Sequence, residues 1–304
     1  MSLRDRARER TRHAAEAAAR RMGYDLVRRG PLSPVPEVPD AGHPVWRRRS
    51  RLPGVAFDLD EQLAFVEGPL RPYVEEFGRE VRGGGFELWN QLFQAGDAEV
   101  LYALLRHLKP PRVLEIGSGN STKVSAAACV ANAREGAETE LVAVDPEPRV
   151  ELRDGIPGLA RIERLDAREL PQARFDELQA GDVLFVDTWH IAKLGSEVNW
   201  LVLDVLPYLA PGVWVHFHDV FLPREYPRYM YVTAGYLSEQ HLIEAFLLGS
   251  DWALELALAT LFCERRERLL EVVPSLREEV PGVPELPTWL PSSIWIRRRP
   301  PEGP

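Results

Sequence analysis

The fold of this chain is constrained most by residues 113–122, where an apolar run meets a Gly-x-Gly turn at 117–119. A carboxylate, Glu115, lies within the run, and a helix-forming stretch follows from Ser121 to Arg134. A strand, a glycine loop and a helix in this order form the opening unit of nucleotide-binding α/β domains. Glycine lets the backbone approach a ligand closely, and a helix N-terminus offers free N–H groups. We therefore predict that this loop binds a nucleotide-like cofactor.

After Pro111 the sequence alternates between short apolar runs and helical stretches. The runs are about five residues long without strict apolar–polar alternation, which is typical of parallel strands buried on both faces. Repeated strand–helix units predict an α/β fold with a Rossmann-like, doubly wound, mostly parallel sheet. The strands predicted in this part are Arg112–Ile116, Leu141–Asp145, Ala160–Leu165, Val183–Asp187 and Val213–Phe217.

Helices are indicated by apolar spacing and by end signals. Asp60 and Asp97 are the expected N-caps of two of them, and Gly78 and Gly249 are expected to end two. In addition to the helix after the glycine loop, the predicted helices are Asp60–Gly78, Ala95–Leu108, Glu197–Leu209, Leu237–Leu248 and residues 259–273.

The N-terminal part differs in composition from the rest. Residues 1–30 are rich in Arg and Ala, which predicts a solvated helix packed on its own domain or on a second subunit. A basic arm for an anionic surface or a membrane, and a disordered segment, are the alternatives. The proline density of residues 31–54 excludes a helix or a central strand and predicts an extended strap. We therefore divide the chain into a helical and proline-rich extension, 1–94, and a nucleotide-binding domain, 95–304.

Composition excludes several classes of protein. The net charge of -9 argues against nucleic-acid binding driven by overall charge. No apolar run approaches the length of about 18 residues that a membrane span needs. Cys129 and Cys263 are far apart and form neither a zinc pattern nor a disulfide framework, which fits a reducing cytoplasm. We expect a cytoplasmic protein that acts on a small molecule or glycan, and a homo-oligomer stays an open alternative.

Acidic or polar residues stand at the end of each predicted strand. In a parallel sheet the carboxyl ends of the strands lie at one edge, where ligands bind. A requirement for stability alone does not explain so many polar residues in equivalent places. The residues that we assign to this active-site rim are Glu115, Asp145, Asp166, Asp187, His218 and Asp219.

The cofactor is indicated by the charges beside the glycine loop. Asp145 could accept hydrogen bonds from ribose hydroxyls, but it follows Gly117 by 28 positions rather than the roughly 20 of a dinucleotide site. The third glycine of that site is missing as well. Glu115 would repel a phosphate, whereas it suits an ammonium or sulfonium group. These features favour S-adenosylmethionine over NAD.

At these residues the sequence resembles a known family. Val113–Gly119 resembles the first motif of class I S-adenosylmethionine-dependent methyltransferases, and the regions of Asp145, Asp166 and Asp187 match later motifs. Three longer segments resemble a bacterial branch of the methyltransferase-24 type, whose members often occur with polysaccharide or natural-product genes. These segments are Leu32–Pro36, Phe185–His190 and His216–Pro227.

The resemblance implies a seven-stranded methyltransferase domain over 95–304, with Trp252–Leu258 and Ser292–Arg298 as its last strands. It also implies that the glycine loop approaches the methionine part of the cofactor, that Asp145 binds the ribose, and that Asp166 and Ala167 flank the adenine. The residues expected to bind the cofactor are thus Glu115, Gly117, Ser118, Gly119, Asp145, Asp166, Ala167 and Asp187.

Methyl transfer to a hydroxyl requires that the oxygen lose its proton, to a base or with the help of a metal. Asp187, His218 and Asp219 lie at adjacent strand ends, and such a set can hold a divalent cation, for example Mg or Mn. The arrangement resembles catechol-type O-methyltransferases, in which a basic residue three positions after the first Asp acts as base. Here that position is His190, so the expected catalytic residues are His190, Asp187 and His218.

Several alternatives stay open. His190 could be the base without a metal, or it could only cap the segment that follows it. His216 lies on the same face of its strand as His218, and we favour His218 because it adjoins Asp219. The aromatic and Arg-containing loop Phe221–Tyr231 is either a lid over a sugar or phenol-like acceptor or a rigid proline-fixed loop. The leading hypothesis is O-methylation of a sugar or secondary metabolite; an NAD-dependent oxidoreductase and a catalytically silent binding protein are the alternatives.

Overall fold

The computed structural model of the chain describes residues 13–24, 26–27, 37–84, 86–90, 92–233, 237–278 and 291–299. Its centre is one seven-stranded sheet with the order β3-β2-β1-β4-β5-β7-β6. Neighbours within β1–β5 run parallel, and β7 runs antiparallel to both β5 and β6. The strands are β1 Arg112–Ile116, β2 Glu140–Val144, β3 Arg161–Glu163, β4 Val183–Val186, β5 Trp214–Phe217, β6 Trp252–Ala257 and β7 Ile294–Arg298.

This topology confirms the predicted Rossmann-like, mostly parallel sheet and the seven strands that the resemblance implies. The predicted bounds of β1 are those observed, and most other strands are shorter by one or two residues. The order of the first five strands reverses between β1 and β4, so their carboxyl ends open a crevice at that point. The glycine loop after β1 lies at this crevice.

The helices surround the sheet. Residues 13–21 form α1. The others are α2 Leu59–Phe65, α3 Arg71–Phe77, α4 Asp97–Leu108, α5 Asn120–Arg134, α6 Ala173–Asp176, α7 Glu197–Trp200, α8 Arg228–Thr233, α9 Glu239–Leu248, α10 Leu258–Glu264 and α11 Arg266–Val272. The predicted helix over 259–273 is therefore two helices, and the helix predicted from Glu197 continues to residue 208 through wide and narrow turns.

Three predicted helix ends are wrong. Asp58, not Asp60, caps α2, because its carboxylate accepts the backbone N–H groups of Asp60 and Glu61. Gly78 keeps a right-handed helical conformation, and a wide turn continues to residue 82. Gly96 is the N-cap of α4, since the carboxylate of Asp97 accepts N–H groups from the distant segment before β7 instead.

The hydrophobic core has two halves, one on each face of the sheet. Successive residues of β1 point into different halves: Val113 packs with α4 and α5, whereas Leu114 packs with residues 201–206. Residues 97–106 of α4 are all buried, as expected for a helix enclosed by other elements. Burial of each large aliphatic side chain contributes roughly 1.5–3 kcal/mol, so α4 and its partners hold the rim in place.

The helices α2 and α3 share the core with α4. The guanidinium of Arg106, 2% exposed, joins them by ion pairs to Glu76 on α3 and Glu135 after α5, and by a hydrogen bond to Asn132. The division at residue 94 stays a prediction. Residues 1–12, the segment Leu32–Pro36 and residues 300–304 lie outside the described residues.

The membrane prediction can be compared with the helices directly. Over the described ranges, none of the helices combines the length and apolarity needed to cross a membrane.

Candidate active site

The conformation of the glycine loop is fixed by contacts with the ends of the neighbouring strands β2 and β4. The N–H group of Gly117 donates to Val144 O, and that of Asp187 donates to Ile116 O, so both residues prolong the sheet. Gly117 has a φ of 90°, and a Cβ there would lie 2.0 Å from the carbonyl oxygen of Asp187. A side chain at this position is therefore excluded by its own backbone and by β4.

Gly119, in contrast, faces room. Among the described residues, a Cβ at Gly119 would come within 4 Å of Arg149 Nε alone, at 3.8 Å. Gly119 is the N-cap of α5, a 15-residue helix, and the first N–H groups of a helix have no partner within it. The loop thus leaves a cradle at a helix N-terminus, which suits the close approach of a cofactor.

Asp145 orders the loop from the end of β2. Its Oδ2 accepts hydrogen bonds from the Ser118 N–H, at 2.9 Å, and from Ser118 Oγ, at 2.7 Å. Its Oδ1 accepts the N–H of Glu147 at 2.8 Å. The structure therefore brings Asp145, Ser118 and the two glycines together, and their contacts with the ribose and methionine ends of the cofactor stay predictions.

Glu115 lies beneath the loop and is fully buried. Its Oε1 accepts a hydrogen bond from Ser121 Oγ at 2.6 Å, and within the described residues its Oε2 has no hydrogen-bond partner. Burial raises the pKa of Glu115 to about 8, with Asp187 and Asp145 adding to the effect and Ser121 and Thr122 opposing it. In the cofactor-free protein this carboxyl group is therefore mostly neutral near pH 7. Its Oε2 is free to interact with a hydrogen-bond donor or a cation.

Asp166 and Ala167 follow β3. Asp166 caps the short helical turn 167–169, and its Oδ1 accepts from Arg168 N at 2.9 Å and Arg168 Nε at 2.8 Å. The hydrogen bond from Arg168 lowers the pKa of Asp166. Ala167 is 2% exposed and packs into the core, so only its backbone could meet an adenine ring. The adenine contacts of both residues stay predictions.

Two histidines and two carboxylates converge beyond β4 and β5. His190 Nε2 lies 3.5 Å from Asp187 Oδ1 and 3.6 Å from Asp219 Oδ2. His218 Nδ1 lies 3.8 Å from Asp187 Oδ1 and 3.7 Å from Asp219 Oδ1. The predicted catalytic residues His190, Asp187 and His218 thus form one cluster with Asp219, beside the glycine loop.

Two members of the cluster have unusual backbone conformations. His190 and Asp219 both have a φ of 55°, in the left-handed region that residues other than glycine seldom adopt. Such strain persists where the surroundings enforce it, and it is concentrated at functional sites. Here Ser292 Oγ donates to Asp219 Oδ1 at 2.9 Å, and the Ser238 and Glu239 N–H groups donate to His190 O.

The charges within the cluster shift the pKa values of its members in opposite directions. Burial alone would raise the pKa of Asp187, but the His218 charge and the hydrogen bond from His190 lower it to about 2. Burial opposes the charged form of both histidines, yet the carboxylates raise the pKa of His218 to about 9 and hold the pKa of His190 well above its usual range. At neutral pH the apo site consequently holds imidazolium groups between carboxylates.

His216 has a different environment from His218. Its ring stacks on Phe185 with centroids 4.0 Å apart, and its Nε2 is 2.9 Å from Ser293 Oγ. Burial and the nearby His218 hold the pKa of His216 well below its usual range. His216 is therefore a neutral core residue, whereas His218 lies with the carboxylates.

The predicted metal ligands Asp187, His218 and Asp219 lie together as ion-paired side chains. The imidazole nitrogens are 3.5–3.8 Å from the carboxylate oxygens, which are the distances of ion pairs. Across the part of the chain that the structure describes, no three or more His, Cys, Asp or Glu side chains are arranged to hold a metal ion. A metal ion at these residues stays a prediction.

Sequence reasoning missed three residues of the site. Glu239 at the start of α9 binds His190 Nδ1, with Oε2 at 2.8 Å. Ser292 bonds to Asp219, and Asp97, taken for a helix cap, lies 3.7 Å from His218 Nε2. The sequence does not show that Asp97 is buried near His218. Because Asp97 fits the pattern of an N-cap, its place in the site was not recognised. Nothing in the sequence pairs residues 239 or 292 with strands so distant along the chain.

The loop after β5 is pinned rather than free. The Gln240 side chain accepts the Phe221 N–H at 2.7 Å and donates to Arg224 O at 3.0 Å. Residues of the strap reinforce it, since the N–H of Ser50 donates to Pro223 O and Arg48 pairs with Glu225. These contacts favour a rigid wall beside the site over a moving lid.

The sheet topology and the glycine loop resemble those of class I S-adenosylmethionine-dependent methyltransferases. Residues 114–220 match the model of the methyltransferase-24 family, which is described as a methyltransferase domain. The match begins in β1 and ends after β5, so it includes the loop and the histidine–carboxylate cluster. It confirms the family resemblance seen in the sequence and favours a methyl donor over NAD.

Solved structures of low similarity were also found. An apo structure of CmcI is 16% identical, with a TM-score of 0.33, and the match covers 52% of this chain and 62% of that one. A CmcI structure with Mg and SAM is 13% identical, with a TM-score of 0.30 and the same coverage. A proposed methyltransferase from Thermobifida fusca is 19% identical, with a TM-score of 0.32, covering 80% of this chain and 89% of that one.

These structural matches carry no argument about activity. The chain spans 62% of the length of the CmcI chains that it matches. No functionally curated protein matches the sequence.

Proposed function

We propose that this protein transfers a methyl group from S-adenosylmethionine to a hydroxyl of a sugar or secondary metabolite, with His190 as general base. The observation that carries the proposal is the position of His190 at the crevice. Its Nδ1 is held by Glu239, and its Nε2 faces Asp187 and Asp219 beside the glycine loop. A base held in this way presents one nitrogen toward the place of reaction.

The residues around the loop fit the cofactor. Gly119 leaves the cradle open, Asp145 stands at the end of β2, and Glu115 has a buried oxygen without a partner among the described residues. When bound, S-adenosylmethionine supplies an electrophilic methyl group. The carboxyl groups of Asp187, Asp219 and Glu239, which lie around His190, suit a bound sulfonium.

His190 must release its own proton before it can act as a base. Its pKa is held high by neighbouring carboxylates, and a sulfonium bound nearby would lower that pKa by repulsion between like charges. Nε2 then takes the proton of the acceptor hydroxyl as the oxygen attacks the methyl carbon. The electron pair of the broken S–C bond stays on sulfur, and the proton leaves His190 to solvent.

The divalent metal expected from the sequence stays a prediction. The ion-paired arrangement of Asp187, His218 and Asp219 gives no support to it, so no step of the proposed reaction uses a metal. Calorimetry with Mg or Mn tests it, because specific binding lost in Asp219→Ala would favour a metal-assisted reaction.

The experiment is a transfer assay with S-adenosylmethionine that carries a deuterated methyl group. Methyl glycosides and simple phenols serve as acceptors, and NMR of the product shows which atom carries the label. We expect a labelled methyl ether in the wild type and at least about a 100-fold slower reaction in His190→Ala. A label found on nitrogen or carbon would contradict O-methylation.

The same assay addresses a catalytically silent binding protein. Such a protein would bind S-adenosylhomocysteine in the wild type without methylating any acceptor. Turnover that is lost in Asp187→Ala supports the enzyme. The NAD-dependent alternative predicts binding of NAD, which the titration described in the Discussion measures.

A further inference from the structure

A carboxylate that the proposed reaction does not use directly lies behind His190. Glu239 is 1% exposed, and its Oε2 is 2.8 Å from His190 Nδ1. Among the described residues its Oε1 has no hydrogen-bond partner. Burying a carboxylate with an unsatisfied oxygen is costly, so its position needs an explanation beyond stability.

The segment that carries Glu239 fixes both the backbone and the ring of His190. The N–H groups of Ser238 and Glu239 donate to His190 O at 3.0 and 3.1 Å, and Ser238 Oγ accepts the N–H of Ala192 at 2.8 Å. His190 adopts its left-handed conformation between these contacts. Glu239 is the first residue of α9, where the helix dipole favours a negative charge.

The geometry assigns to Glu239 the role of a positioning residue for His190, an inference that rests on the proposed function. The carboxylate accepts the Nδ1–H and so leaves Nε2 as the nitrogen that faces Asp187 and Asp219. Without the Glu239 carboxylate, a neutral His190 ring could rotate or carry its proton on Nε2. Nε2 could then not take the proton of the substrate hydroxyl.

NMR of the histidine side chains tests the role of Glu239 without a methyl-accepting substrate. The chain has seven histidines, and in protein labelled with ¹⁵N-histidine the His190 signals are those lost in His190→Gln. With S-adenosylhomocysteine present, the His190 Nδ1–H of the wild type should exchange slowly with water. In Glu239→Gln we expect exchange at least about tenfold faster, because an amide is a weaker acceptor that can also turn its NH₂ toward the ring.

Glu244→Gln is the matched control. Glu244 lies on the same helix, is 5% exposed, and pairs with Arg48 instead of a histidine. This variant should leave the His190 signal unchanged within twofold. A His190 Nδ1–H that exchanges rapidly in the wild type, or equally slowly in Glu239→Gln, overturns the assignment. The wild-type measurement decides the matter even if Glu239→Gln does not fold.

Kinetics separate this inference from the proposed function. With the methyl glycoside or phenol that reacts fastest in the transfer assay, Glu239→Gln should lower kcat about 100-fold and leave the KM for S-adenosylmethionine unchanged within twofold. Glu239→Asp should recover part of the rate. Loss of kcat equal to that in Glu244→Gln would overturn the inference. If the wild type methylates none of these acceptors, the proposed function fails while the NMR comparison still decides the role of Glu239.

Discussion

The buried carboxyl group of Glu115 predicts a specific dependence of stability on pH. Its pKa is about 8 in the fold, against a usual value of 4.5 that we assign to the unfolded chain. Between these values the unfolded state releases a proton that the folded state retains, so this group makes the protein less stable as pH rises. Each pH unit above 4.5 lowers the free energy of unfolding by about 1.4 kcal/mol, which amounts to a loss of about 3 kcal/mol at pH 7.

Glu115→Gln removes the titrating group but keeps an oxygen that can accept from Ser121 Oγ. Any cost of placing an NH₂ group at the unpartnered position does not vary with pH. We therefore expect the free energy of unfolding of the variant, relative to the wild type, to increase by about 2–3 kcal/mol between pH 5 and pH 7.

Urea unfolding of both apo proteins at these two pH values measures the difference. A difference that is the same at pH 5 and pH 7 would refute the reasoning, because it would mean that Glu115 is ionised in the fold. The same reasoning predicts that a bound cation makes Glu115 release its proton. The enthalpy of S-adenosylmethionine binding at pH 7 should consequently depend on the ionisation enthalpy of the buffer, and this dependence should be smaller in Glu115→Gln, where only the proton of His190 is left to be released.

Three further predictions concern the base, the loop and the core. Because the pKa of His190 is held high, kcat/KM should rise with pH through neutrality with a midpoint above 6.5, and a profile that is flat from pH 6 to 8 would contradict its role as base. Gly117→Ala should lower the free energy of unfolding by about 3 kcal/mol or more, because its Cβ would collide with Asp187 O. Gly119→Ala should lower it by less than about 1 kcal/mol, and equal losses in urea unfolding would contradict the difference in space at the two glycines. Arg106→Ala should cost about 3 kcal/mol in the same assay, since the buried guanidinium joins α3, α4 and α5, and a cost below about 1 kcal/mol would show that the network contributes little.

The sequence predicted the parts of the fold that depend on local patterns. Apolar runs located the first five strands, and the bounds of β1 and the position of the glycine loop are those observed. The family resemblance supplied the last two strands, whereas their antiparallel direction was observed only in the structure. Helix caps were predicted less well, because Asp60 and Asp97 satisfy the cap pattern while other contacts decide which residue caps.

The site was predicted as far as the strand ends define it. Asp187, His190, His218 and Asp219 lie together because adjacent parallel strands end at one edge. Glu239 could not be predicted, since its contact with His190 joins residues 49 positions apart and depends on where α9 begins. The raised pKa of Glu115 was also beyond prediction, because it depends on complete burial that the sequence does not report.

The most direct test of the central claim is a calorimetric titration of the purified protein with S-adenosylhomocysteine, repeated with Mg or Mn and then with NAD. We predict micromolar binding of the thioether without added metal and no binding of NAD. Binding of NAD together with no binding of S-adenosylhomocysteine would contradict the assignment as a methyltransferase.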